Sequence, residues 1–417
     1  MSMLYDANQR IEKIRKKDVE FIVRKDGRPV SNAQINVKMK KHQFLFGSNC
    51  FPANSYEEAA GSRYKKYFSD LFNYTTLPFF WQRYERERGK TDHERLEKLL
   101  QWCEALDLKT KGHPIVWQKL APEWLENSED VETSLKKRIE HLMENFGDRI
   151  DYWDVFNEIT VDHLYHNAVS RWIHEKGRAN AVRYTTKLVR EINPHANLLY
   201  NDFNIWNQEC EVLLEELRYM GVELQAVGIQ SHMHTFLWTM EEAWEVCERF
   251  AKYGWPLHFT ELTVLSGRYI GRNGMMNDDS KPEDWYRGKE YEELQAKYTA
   301  DFYTMLFSHP AVEAITWWDN FGKVADDMKL DRAAPAGLVT EEVHRKPAYH
   351  ALRKLIRENW WSDEFGKTNG EGIYRCNVYH GDYQIEMIAD GKKAVLEIPI
   401  LREAGGPGKP QKIEINL

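Results

Sequence analysis

The stretch Asp151-Tyr152-Trp153-Asp154-Val155-Phe156-Asn157-Glu158 decides the fold. It is a mostly apolar, aromatic run that stops abruptly at Asn-Glu, with Ile159, Thr160 and Val161 behind it. A strand buried on both faces reads this way when its last residues emerge into a polar site. A second run of the same kind, Trp255-Pro256-Leu257-His258-Phe259-Thr260-Glu261, lies farther along and also ends in Glu. Taken singly, either Glu is an ordinary cap or salt-bridge residue. Two carboxylates at the ends of two buried strands are instead the equipment for glycosidic bond cleavage, one as acid/base and one as nucleophile.

Outward from these runs, further short apolar segments fall at 42–47, 71–77, 110–117, 150–157, 197–203, 225–231, 255–261 and 313–318. Helical patterns alternate with them at 59–71, 93–107, 131–146, 168–192, 207–220, 239–253, 289–308 and 346–358. Regular βα alternation of this length predicts the α/β class and a (β/α)8 TIM barrel, with a doubly wound open sheet as the alternative. The alternative lacks a Gly-rich phosphate loop after its first strand. In a barrel the strand C-termini face the site. They carry His113 and Trp117, Asn157 and Glu158, Asn201 and Asp202, Gln230 and His232, Glu261, and Trp317 and Trp318. Such a set is too polar and too aromatic for packing layers.

The flanks read as β structure. Residues 1–41 are a basic lead-in and a hairpin in which Val19–Arg24 and Ala33–Met39 flank an Asp26-Gly27 turn. The barrel spans 42–358, and Asp363 to Gly372 reads as a polar linker. Residues 372–417 hold strands at 373–379, 383–389 and 394–400. They are expected to pack with the hairpin, since a hairpin alone is marginal. Core packing is the expected role of Tyr374, Tyr379 and Tyr383, with polysaccharide binding as the other reading.

Composition narrows the function classes. Net charge is −8, with 57 basic against 65 acidic residues and no long basic block, so no nucleic-acid partner is implied. The 5 cysteines are scattered without a CxxC and suggest free thiols rather than a disulfide scaffold or zinc cluster. Met1 to Asp18 has no apolar core and nothing approaches transmembrane length, so a cytoplasmic location without membrane partners is expected of the chain as it stands, and a secreted one if a signal peptide has been removed from it. No cofactor is implied. His232-Met233-His234 with His113 and Asp319 admits a metal-hydrolase reading, but His234 falls in the loop beyond the strand, and no metal is expected.

Several motifs in consistent order carry a resemblance. Gly112-His113-Pro114-Ile115-Val116-Trp117, Trp153-Asp154-Val155-Phe156-Asn157-Glu158, Asn201-Asp202-Phe203-Asn204, Gly228-Ile229-Gln230-Ser231-His232, Thr260-Glu261-Leu262 and Lys346-Pro347-Ala348-Tyr349 are similar to motifs of glycoside hydrolase family 10, the endo-β-1,4-xylanase family of retaining barrels. The resemblance covers roughly residues 42 to 357. It implies Glu158 as acid/base, Glu261 as nucleophile, and Asn157 as the group holding the sugar 2-hydroxyl. It further implies that Gln230 and His232 orient the carboxylates, that His113, Trp117 and one of Trp317 or Trp318 line the −1 pocket, and that β-xylan or xylo-oligosaccharide is the substrate.

One departure stands out. Where the family shows Glu-Asn-x-Met-Lys-Trp after strand two, to grip sugars at −1 and −2, this chain has Asn73-Tyr74-Thr75-Thr76-Leu77-Pro78-Phe79-Phe80-Trp81. Leu120 stands where the family has Gln. A remodelled −2 subsite is therefore expected, with Phe79, Phe80, Trp81, Arg83 and Tyr84 either stacking on a different or decorated sugar, closing the cleft, or, for the two Phe, packing inward. This leaves open an exo-acting β-glycosidase, an enzyme for another β-glycan, and a barrel that binds sugar without cleaving it.

Overall fold

The computed structural model describes residues 3–127, 130–271, 281–318, 321–322, 334–402 and 410–416. Eight parallel strands close on themselves: β1 (Leu45–Asn49), β2 (Tyr74–Pro78), β3 (Lys109–His113), β4 (Tyr152–Asn157), β5 (Asn197–Asp202), β6 (Ala226–Ile229), β7 (Leu257–Val264) and β8 (Val312–Trp317). Each pairs with the next in sequence, and β8 returns to β1. A helix follows each strand, as the βα alternation requires, so the chain is a (β/α)8 TIM barrel. Nearly every strand residue is buried, which explains why the strands read as continuous apolar runs rather than alternating ones.

Helix ends follow local chemistry. Asp130 caps Val131–Phe146 by accepting from the Glu132 and Thr133 amides, and Thr239 with Glu242 forms a capping box on Met240–Ala251. The helix expected over 168–192 is two, Ala168–Lys176 and Arg178–Ile192, because Gly177 takes φ 83° between them. Close packing needs glycine at two strand positions. A Cβ on Gly112 would lie 2.3 Å from the Trp153 ring, and one on Gly228 2.3 Å from Asn201 Oδ1.

The ends of the chain depart from expectation in pairing. Lys16–Lys25 makes a hairpin only with the two-residue strand Arg28–Pro29, and Gln34–His42 belongs to a different sheet. Lys16–Lys25 lies between Ile373–Tyr379 and Gln411–Asn416; Gln34–His42 lies between Asp363–Lys367 and Gly381–Ala389, which pairs onward with Lys392–Ile400. The hairpin of 1–41 is thus corrected, because both edges of Lys16–Lys25 and of Gln34–His42 pair with strands from the C-terminal part of the chain, while the Val19, Phe21, Val23 and Ile35, Val37, Met39 rows are buried. The linker is corrected too. Asp363–Lys367 is a strand, and Gly366 is the residue its crowding demands, since a Cβ there would lie 2.0 Å from the Tyr374 ring. Gln411–Asn416 adds a strand that its polar alternation concealed. Tyr379 and Tyr383 are buried and Tyr374 stacks on Phe21, so all three serve packing.

Arg15 ties these strands to the bottom of the barrel. Fully desolvated, it donates to the carbonyls of Phe307, His309 and Val312 at 2.7, 2.8 and 2.8 Å, and burial lowers its guanidinium to about 9. Among the described residues no helix is long and apolar enough to cross a membrane.

Candidate active site

Glu261 sits in β7 where the pairing with β8 loses register between Phe259 and Leu262. Its Oε1 accepts from Asn201 Nδ2 at 2.8 Å, and its Oε2 lies 3.0 Å from His232 Nε2. Thr260 Oγ1 donates to Asn201 Oδ1 at 2.6 Å, which fixes the asparagine amide with its NH2 toward the carboxylate. Behind it, His113 Nε2 is 4.0 Å from Glu261 Oε1, while His113 Nδ1 and Lys111 Nζ lie 2.6 and 2.7 Å from Asp154 Oδ2. Burial pushes the Glu261 carboxyl up, but the His232 hydrogen bond and the nearby His113, His232 and Lys111 outweigh it and hold it below its usual range. Glu261 is kept ionised.

Glu158 follows β4 in a left-handed conformation, φ 55° and ψ 37°, which costs a non-glycine residue on the order of 1–2 kcal/mol. Its amide donates to the Asn201 carbonyl at 2.9 Å, and Gln118 Nε2 donates to its own carbonyl. That backbone turn swings the side chain into the barrel mouth. Oε1 accepts from Gln230 Nε2 at 2.9 Å and Oε2 from Trp117 Nε1 at 3.0 Å. Burial, then the charge of Glu261 and that of Asp202, raise the carboxyl from 4.5 to about 7 against the opposing Gln230 hydrogen bond and Lys119 charge. Glu158 therefore still carries its proton in about half the molecules at neutral pH, where an ordinary Glu would be ionised. Two carboxyls with environments pushed apart in this way are equipped for different roles.

Asn157 connects the two. Its Oδ1 accepts from Asn201 Nδ2 at 2.8 Å and Gln230 Nε2 at 3.1 Å. Its Nδ2 has no protein partner among the described residues and lines the cleft, where a ligand hydroxyl can receive it.

The cleft over these groups holds about 950 Å³. Of the residues expected to bind substrate, His113, Trp117, Asn157, Gln230, His232 and Trp318 line it together with both carboxylates. Trp317 does not, because alternation along β8 turns it into the fully buried core. Trp81 does not either: it opens the short helix Trp81–Tyr84 and packs against Trp124 and Arg138, with Nε1 donating to Glu85 at 3.0 Å. Phe79 and Tyr84 also turn inward, onto Trp153 and His141. Phe80 alone of the aromatic insertion reaches the cleft wall, with Arg83 beside it.

Sequence reading passed over the Lys111–Asp154 pair, whose two members stand in separate strand motifs and meet only across β3 and β4. It also passed over Lys119 and Arg86, and over Trp206 and Phe236, which are 45% and 56% exposed and flank the cleft after β5 and β6. Unusual exposure of large aromatics is a signal, but only the folded chain displays it. Among the described residues no cluster of His, Cys, Asp and Glu is arranged to hold a metal ion, and Asp319 lies outside them.

Comparison with known proteins agrees with this architecture. The family model described as Glycosyl hydrolase family 10 matches residues 36–355. The anti-sigma-I factor RsgI6 of Acetivibrio thermocellus is 24% identical over 399 residues, covering 93% of this chain and 47% of that protein. Endo-1,4-beta-xylanase 1 of Arabidopsis thaliana is 24% identical over 414 residues, covering 95% and 39%. The chain therefore spans about half the length, or less, of these two relatives. In three dimensions it is similar to xylanase 10B from Thermotoga petrophila RKU-1 in complex with xylobiose, at a TM-score of 0.61 and 22% identity over 76% of this chain and 95% of that one.

Proposed function

The chain belongs to glycosyl hydrolase family 10, and from that premise we propose that it cleaves β-1,4-xylosidic bonds in xylan or xylo-oligosaccharides with retention, by double displacement. The observation that carries the reading is the opposed pair: Glu158 raised to about 7 and Glu261 held low, at the mouth of one barrel. Ionised Glu261 attacks the anomeric carbon while the Glu158 carboxyl proton passes to the leaving oxygen. The covalent glycosyl carboxylate then meets water, Glu158 takes the water proton, and the sugar departs with its configuration retained. As Glu261 gives up its charge to the glycosyl bond, Glu158 loses an unfavourable neighbour and becomes the stronger acid, in step with its change of role. Asn157 Nδ2 donates to the 2-hydroxyl, and Trp318, His113 and Trp117 enclose the ring being cleaved.

Xylanase names among the relatives and the xylobiose-bound neighbour support the substrate. A second reading, a barrel that binds sugar without cleaving it, draws on the relative that is an anti-sigma factor. Separate acid and base environments are superfluous to binding alone and weigh against it. Release of the aryl group from an aryl β-xyloside and an aryl β-xylobioside, with Glu261→Gln as blank, tests the proposal. Cleavage of the xylobioside alone means a working −2 subsite and endo action. Preference for the single xyloside means an exo-acting enzyme. Neither above the blank would defeat the xylosidase reading.

A further inference from the structure

The wall of the cleft after β2 is cationic in a chain whose net charge is −8. Arg83 and Arg86 from the segment after β2, and Lys119 from the segment after β3, line the same cleft as the two carboxylates. Arg83 and Lys119 stand on an aromatic ledge. Arg83 Cζ lies 5.1 Å over the Phe80 ring, Phe80 and Trp117 are 5.7 Å apart, and Lys119 Nζ lies 5.6 Å over Trp117. Trp117 in turn donates to Glu158 at 3.0 Å, so the ledge runs to the reacting centre. Among the described residues, Glu123 is the one carboxylate of the cleft lining besides Glu158 and Glu261. Glu85 is already engaged by Trp81 Nε1 and the Gly89 amide. Among the described residues Arg86 makes no side-chain hydrogen bond or ion pair, and Lys119 makes no ion pair. A guanidinium and an ammonium held near rings in a concave wall recognise a carboxylate sitting on a sugar whose apolar face stacks below.

We propose that Arg83, Arg86 and Lys119 form a subsite for a carboxylate-bearing sugar, so that the chain selects xylo-oligosaccharides carrying a uronic acid branch over neutral ones. This rests on the xylosidase reading above for the backbone sugar and adds the charged substituent to it. Two of the three cations, Arg83 and Arg86, follow directly after the segment Asn73–Trp81 that stands where the polar −2 residues are expected.

The test compares one glucuronic-acid-branched xylo-oligosaccharide with the same molecule after its carboxyl is reduced to the alcohol, which keeps the shape and removes the charge. Wild type is expected to favour the acid form in kcat/KM by roughly tenfold at low salt, the effect of one charge-assisted contact, with the ratio shrinking as salt is raised. Arg86→Glu should bring the ratio to one or below. A ratio of one in wild type, or one unaffected by salt and by Arg86→Glu, overturns the proposal. Binding of both sugars to Glu261→Gln, read by calorimetry, separates the two readings. If wild type cleaves neither yet the acid form binds more tightly, the subsite stands and the hydrolase reading falls. If both are cleaved and bound equally, the reverse holds.

Discussion

Replacing Glu158 by Gln should abolish turnover and at the same time make the protein more stable at alkaline pH. The folded carboxyl titrates at about 7 against an ordinary 4.5 because burial and the Glu261 charge disfavour its ionised form. An acid whose value is raised by folding gives stability that is fully present below 4.5 and lost as pH rises to about 7. At 1.36 kcal/mol per pH unit, that interval amounts to about 3 kcal/mol. Gln resembles the protonated acid in shape and in carrying no charge, and like it keeps an oxygen that accepts from the Gln230 or Trp117 N–H, so at pH 4 the two proteins should melt together. Above pH 7 the wild type carries a buried charge that the variant lacks. With an unfolding entropy of about 2.1 cal/mol/K per residue, the ~3 kcal/mol difference over this chain corresponds to ~3–4 °C in Tm. Calorimetric melts of both proteins from pH 4 to 8 provide the assay. Equal Tm values at pH 8, or an offset that does not change with pH, would refute the electrostatic account of the site.

Other consequences of the same geometry are open to measurement. kcat/KM on an aryl xylobioside should decline above about pH 7 as Glu158 loses its proton. It should decline again at acid pH, below 4.5, where Glu261 gains one. Because the Glu261 value is depressed, its stabilising contribution is present above 4.5 and disappears as pH falls through the depressed value. Lys111→Met leaves Asp154 buried with His113 as its one remaining cationic partner among the described residues, and should cost about 3–5 kcal/mol in urea unfolding. The same variant should move the acid limb of kcat/KM upward, since Lys111 helps hold Glu261 low; an unmoved limb would remove Lys111 from the electrostatics of the nucleophile. Arg15→Met strips donors from three buried carbonyls at the barrel bottom, and should cost roughly 3 kcal/mol or more. Stability measured by urea should fall with little change in KM, because the cleft lies at the opposite end of the strands.

Local pattern was sufficient for the barrel. Strands buried on both faces announce themselves as short apolar runs, helices by their caps and period, and Glu158 and Glu261 stand at the breaks between apolar and polar chemistry. Those signals lie within one element, so no long-range contact is needed to read them. Tertiary structure decided what depends on which way a side chain turns and on which distant strand lies beside it. Alternation along β8 sent Trp317 to the core and Trp318 to the cleft, and the first turn of Trp81–Tyr84 carried Trp81 away from the site that its neighbour Phe80 lines. The hairpin of 1–41 reads as self-paired because strand pattern is silent about partners; in the fold Lys16–Lys25 and Gln34–His42 go to separate sheets. The division of labour between the carboxyls is likewise a tertiary property. Two glutamates identical in sequence titrate apart because Lys111, His113 and His232 gather around one, while burial beside Asp202 and the other's charge acts on its partner.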